Sequence, residues 1–123
     1  MTTADVFEAV LPCAALSASV ARKLTVDRCR KWGRDALCGD LALVVTELVA
    51  NAVRHAGTDI TVRLIQLDGG VRLEVADGSV RPLRPRPAAM SDEGGRGLLL
   101  VDALSTRYGV EAEPDGKRVW AEL

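Results

Sequence analysis

The sequence predicts an α+β fold, a two-layer α/β sandwich with a mostly antiparallel sheet and its helices on one face. Three observations predict it. Two pairs of alternating segments, 59–67 with 71–76 and 108–113 with 117–122, are each joined by a short Gly-containing turn, as β-hairpins are. Two amphipathic helical stretches precede the first hairpin, and a third lies between the hairpins. The repeated βα units that a parallel doubly wound sheet needs are missing.

The elements follow in order. Residues 4–10 (ADVFEAV) alternate polar and apolar and read as a short strand carrying Val6 on one face, ended by Pro12. Residues 14–32 read as a helix on the spacing of Leu16, Val20, Leu24 and Cys29, with Gly33 at its C-terminal cap. Asp40 is the expected N-cap of a second helix that runs to Ala56 and stops at Gly57. Its Leu41, Val44, Val45, Leu48 and Ala52 recur at i, i+3, i+4, i+7. In 59–67, Ile60, Val62 and Leu64 share one face and Thr61 and Arg63 the other, and Asp68-Gly69-Gly70 turns the chain. Residues 78–94 are irregular, with Pro82, Pro85 and Pro87 beside Arg81, Arg84 and Arg86. Gly95 and Gly97 lead into LLLVDALSTR, the third helix. Pro114-Asp115-Gly116 turns the last hairpin.

Composition excludes several functions. The chain of 123 residues is one domain, 1–123, with 16 basic and 17 acidic residues and a net charge of −1. That balance argues against direct nucleic-acid binding, which needs a basic excess to neutralise phosphates. Hydrophobic residues at 48% supply a core, but aromatics at 3% leave it to Leu, Val and Ala. The first residues carry Asp5 and Glu8 and no basic stretch, so a secretory signal is not expected, and no apolar run of membrane-spanning length is expected either. Three cysteines without CxxC spacing and a lone His55 make a zinc site improbable and suggest reduced cytoplasmic thiols.

Three local patterns carry chemistry. Glu47 and Asn51 are four apart on the second helix, on one stripe at the margin of its apolar face, with Arg54 below them. A carboxylate and a carboxamide so placed suit Mg²⁺, which takes one or two protein oxygens plus phosphates and waters; an ordinary polar helix flank would look the same. Asp77-Gly78 ends a strand, where the carboxylate either points into a cleft and accepts from an exocyclic amine or closes an Asx turn. Gly94-Gly95-Arg96-Gly97 precede a helix, where free N–H groups favour an anion and missing side chains let a phosphate approach. His55 falls in the last turn of the second helix, near its apolar side, where a cation suits the dipole.

Taken together, Glu47-Leu48-Val49-Ala50-Asn51-Ala52, Asp77-Gly78 and GGRGLLLVDAL resemble the GHKL ATPase superfamily, and within it the small anti-sigma-factor serine kinases of the RsbW/SpoIIAB type. The likeness covers nearly the whole chain and is strongest to stand-alone actinobacterial ATP-binding regulators. It implies a Bergerat-type ATP-binding fold. It implies that Asn51 binds magnesium and that Glu47 acts as general base or orients the nucleophile. Asp77 and Gly78 would form the adenine side, with Asp77 reading the amino group. Gly94, Gly95 and Gly97 would line the phosphates with Arg96 nearby, and 78–94 would form a lid. The cofactors implied are ATP and Mg²⁺. The activity implied is phosphorylation of a serine on an anti-sigma-factor antagonist, combined with direct binding of a sigma factor. The setting implied is cytoplasmic, without membrane or nucleic acid, and compatible with a homodimer. The other reading is a protein-binding module that sequesters its partner without phosphoryl transfer. Two departures from the family pattern stand out. Ser79 and Arg81 occupy places where glycines are common after the Asp. Lys117-Arg118-Val119 occupy the last strand, where relatives often carry a small hydroxyl residue.

Overall fold

The computed structural model describes residues 5–79 and 93–123, with side chains described outside 93–97. The order is β1 (Val6–Leu11), α1 (Ser17–Lys31), a 3₁₀ turn (Asp35–Leu37), α2 (Cys38–His55), β2 (Ile60–Leu67), β3 (Gly70–Asp77), α3 (Glu93–Leu104), β4 (Arg107–Glu113) and β5 (Gly116–Glu122). The five strands form one sheet in the order β1-β2-β3-β5-β4, and every pairing is antiparallel. This is the two-layer sandwich that the alternating segments predict.

Register explains which face the helices cover. Phe7, Leu64, Leu73 and Ala121 lie on one rung, and Ala9, Val62, Val75 and Val119 on the next. Ile60, Val62, Leu64, Val71, Leu73 and Val75 of this face are buried against Leu41, Val44, Val45, Leu48, Val49 and Ala52 of α2 in one core. The apolar stripe expected on the second helix is therefore the stripe that packs. The stretch Asp35–His55 is long and apolar enough to cross a membrane by length and composition, contrary to expectation, and here its stripe belongs to that core.

Several boundaries and faces differ from the sequence reading. In α1 the buried residues are Ser17, Ala21, Thr25 and Cys29, while Leu16 is 77% exposed and Val20 43%. The buried stripe is rotated by one position because small side chains let α1 approach α2 closely. Polar members are satisfied locally, with Thr25 Oγ1 donating to the Ala21 carbonyl at 2.8 Å and Ser17 Oγ to that of Pro12 at 2.6 Å. The strand alternation of β1 holds, and the face that carries Val6 is the one away from the helices, since its neighbour Phe7 pairs with the buried Leu64. Asp40 lies inside the first turn of α2, whose N-cap is Leu37 without a side-chain cap, because the 3₁₀ turn feeds the helix directly. Gly57 follows α2 with φ +70°, a left-handed position that only glycine takes without strain. The helix α3 begins at Glu93, so Gly94, Gly95 and Gly97 are its first turns and do not precede it.

The cysteines are free, Cys13 exposed and Cys29 and Cys38 buried. Burial, with Cys38 beside it, pushes the Cys29 thiol up to about 12, so it is an inert part of the α1–α2 seam.

Candidate functional site

Chain connectivity brings the end of α2 and the Asp77-Gly78 turn to one end of the sandwich. The helix α2 ends at His55, and residues 56–59 lead straight into Ile60, which pairs with Asp77 at the end of β3. Within that connection, Thr58 Oγ1 accepts the Gly78 backbone N–H at 2.8 Å. The end of α2 and the Asp77-Gly78 turn are thereby fastened together. At the other end of α3, the Thr106 N–H donates to the Glu122 carbonyl at 2.7 Å, on the rung that joins Arg72, Glu122 and Arg107. That rung lies five residues from Asp77 along β3, and the 12-residue α3, about 18 Å long, leads into it.

Asp77 is the most constrained of these groups. Its side chain is 2% exposed. Oδ1 accepts the Ser79 N–H at 2.8 Å, which is the Asx turn. Oδ2 has only Lys117 Nζ near it among the described residues, at 3.9 Å, too far for a hydrogen bond. The two readings of Asp77 are therefore divided between its two oxygens: one shapes the turn, and the other keeps acceptor capacity, as an exocyclic amine requires. Gly116 sits where any Cβ would run into the Asp77 carbonyl, so only glycine lets β5 pass this close.

On α2, Glu47 and Asn51 are both half-buried. The Glu47 carboxylate has no ion pair or hydrogen bond among the described residues, so it is open to accept a proton. Asn51 Oδ1 accepts from Arg54 Nη2, the pair expected from their common stripe. A carbonyl oxygen has two lone pairs, so one remains for a cation. No group of three or more His, Cys, Asp or Glu side chains among the described residues could hold a metal. The donor set thus fits an ion that completes its shell with phosphates and waters, as Mg²⁺ does, with Asn51 as the protein ligand.

His55 is exposed, so the expectation that it lies near the apolar side fails. Together with Arg54 it complements the C-terminal end of α2. Beginning α3 at Glu93 sharpens the role of the glycines. The N–H groups without helical partners fall on Glu93, Gly94 and Gly95, while the N–H of Gly97 belongs to the helical ladder. The expected lid over 78–94, with Arg81, Arg84 and Arg86, lies outside the described residues apart from its ends. Sequence reasoning missed Thr58 and the facing of Lys117 and Gly116 on Asp77. The only available signal was the register of the two hairpins, which puts position 117 opposite 77.

A layer of helices on an antiparallel sheet, with an Asn on the central helix and a buried Asp at a strand end, defines a class of nucleotide-binding domain. The chain belongs to the histidine kinase-like ATPase domain family, whose model matches residues 2–123. It is thus a member of the GHKL ATPases, which are ATP-binding domains. An uncharacterized protein of Streptomyces coelicolor is 43% identical over 83 residues, covering 63% of this chain and 79% of that protein.

Proposed function

We propose that the protein is a cytoplasmic ATP-binding regulator that phosphorylates a serine of an anti-sigma-factor antagonist and holds a sigma factor by direct binding. The observation that carries this reading is the pairing of an open Asp77 oxygen with an unpartnered Glu47 on elements that meet at one end of the fold. Asp77 accepts the amino group of adenine. The N–H groups of Glu93, Gly94 and Gly95 face the phosphates, and Asn51 holds the magnesium ion. When bound, Mg²⁺ neutralises phosphate charge and favours departure of ADP. The serine Oγ of the partner attacks the γ-phosphorus, the bond to the β-bridging oxygen breaks, and Glu47 takes the hydroxyl proton.

A module that sequesters its partner without transfer is the second reading. Ser79 and Arg81, in place of glycines, favour it, and the unpartnered Glu47 disfavours it. Incubation with labelled ATP, Mg²⁺ and antagonist proteins encoded nearby separates the two. Label on a partner serine is the expected result. A partner that binds and is never labelled leaves the sequestration reading.

A further inference from the structure

Lys117 lies in the Lys117-Arg118-Val119 stretch of the last strand, and its surroundings assign it a task. It faces Asp77 directly across the β3–β5 ladder, so both side chains lie on the helix-covered face of the sheet. The Lys117 side chain is 12% exposed, against 2% for Asp77. A lysine this enclosed ordinarily closes an ion pair with its partner. Here the Nζ–Oδ2 separation is 3.9 Å, and no hydrogen bond joins them. Lys117 makes no other ion pair among the described residues. The result is an acceptor and a donor side by side, both largely removed from water and both with capacity to spare.

We infer that Lys117 is a base-reading residue, donating from Nζ to the ring nitrogen N1 of adenine while Asp77 Oδ2 accepts from the neighbouring 6-amino group. This rests on the ATP-binding reading above and deepens it. The Watson–Crick edge of adenine carries one donor, N6–H, next to one acceptor, N1, and the Asp77–Lys117 pair is its complement. Guanine reverses that edge, setting its O6 acceptor against Asp77 and its N1–H donor against Lys117. A hydroxyl both donates and accepts and so discriminates little. An ammonium only donates, so Lys117 makes the site stricter for adenine.

The test compares ATP, 1-deaza-ATP (a C–H in place of N1) and GTP by calorimetry on the parent protein and on Lys117→Met. The parent is expected to bind 1-deaza-ATP and GTP at least about tenfold more weakly than ATP, the scale of losing a hydrogen bond from a charged donor. In Lys117→Met, ATP should fall to the level of 1-deaza-ATP, which the substitution should leave nearly unchanged. Lys117→Arg, which keeps a charged donor, should retain part of the preference, and thermal melting checks that each variant is folded. If the parent binds ATP and 1-deaza-ATP equally, the inference is overturned while the ATP-binding reading survives. Equal binding of ATP and GTP overturns it as well. If none of the three binds at millimolar concentration, the ATP-binding reading falls and the role of Lys117 falls with it.

Discussion

A carboxylate that faces a triphosphate is a cost to binding, because like charges repel, and it is useful only if it meets a proton. In the proposed function Glu47 is such a group. It is half-buried, lacks a partner among the described residues, and lies one turn before Asn51 on α2. Glu47→Gln should therefore hold ATP affinity within a few-fold and lower phosphorylation of the partner serine by about 10²-fold or more, the usual scale for a general base. Nucleotide affinity and phosphate transfer, measured side by side on parent and variant, decide it. Transfer at the parental rate would remove Glu47 from the mechanism. The placement of Glu47 and Asn51 on one helix and of Asp77 at a strand end was legible in the sequence, because helical spacing and a strand-ending Asp-Gly are local patterns. The division of labour between the two oxygens of Asp77 was not, since it depends on a backbone turn at Ser79 and on a residue 40 positions away at Lys117.

At the scale of elements, α2 was legible because its apolar residues are large and follow one helical stripe, and each of them is in the core. The face of α1 was not, because Ser17, Ala21 and Thr25 pack by being small, and hydrophobicity picks the exposed Leu16 and Val20 instead. The connection from α2 to β2 shows the same limit. Residues 56–59 look like a plain link, yet Thr58 Oγ1 takes the Gly78 N–H and the Thr58 methyl group lies against Gly78. Through this contact, the helix that carries Asn51 and the turn that carries Asp77 hold a fixed relation. Thr58→Val keeps the shape and removes the acceptor. It should cost about 1 kcal/mol of stability, the net worth of one hydrogen bond. Nucleotide affinity should fall by a similar factor, about fivefold, because Asp77 is then less well positioned. Chemical denaturation and calorimetry on parent, Thr58→Val and Thr58→Ser check this, with Thr58→Ser expected to match the parent. An unchanged nucleotide affinity in Thr58→Val would show that the turn holds its place without the link.

Across the whole molecule the two faces of the sheet obey different physics. The inner face is apolar and ends at the Asp77–Lys117 rung. The outer face is a network of charges, in which Glu74, nearly buried, takes Arg63 Nη1 at 3.0 Å and Arg72 Nε at 2.9 Å. Glu122 takes Arg72 at 2.8 Å and Arg107 at 2.7 Å, and both guanidinium groups stand over the Trp120 ring, 4.2 and 5.7 Å from its centre. Stacking and ion pairing fix the same arginines, so the helix-free face is covered by an ordered polar layer across β3, β5 and β4. The hydrogen bonds from Arg107 and Arg72 lower the Glu122 pKa below its ordinary 4.5. A carboxyl whose folded pKa lies below its unfolded value stabilises the fold fully above the unfolded value, and that contribution disappears as pH falls through the folded one. The parent protein should therefore lose stability as the solution is acidified below pH 4.5. Glu122→Gln should be less stable than the parent at about pH 7, by a modest amount because Arg107 is exposed and screened. The gap should narrow as the pH falls through the lowered folded pKa, where the parental carboxyl becomes protonated too. Urea midpoints for the two proteins along an acid series measure the gap directly. A gap that persists undiminished in acid would mean that Glu122 acts through packing beside Trp120 and not through its charge.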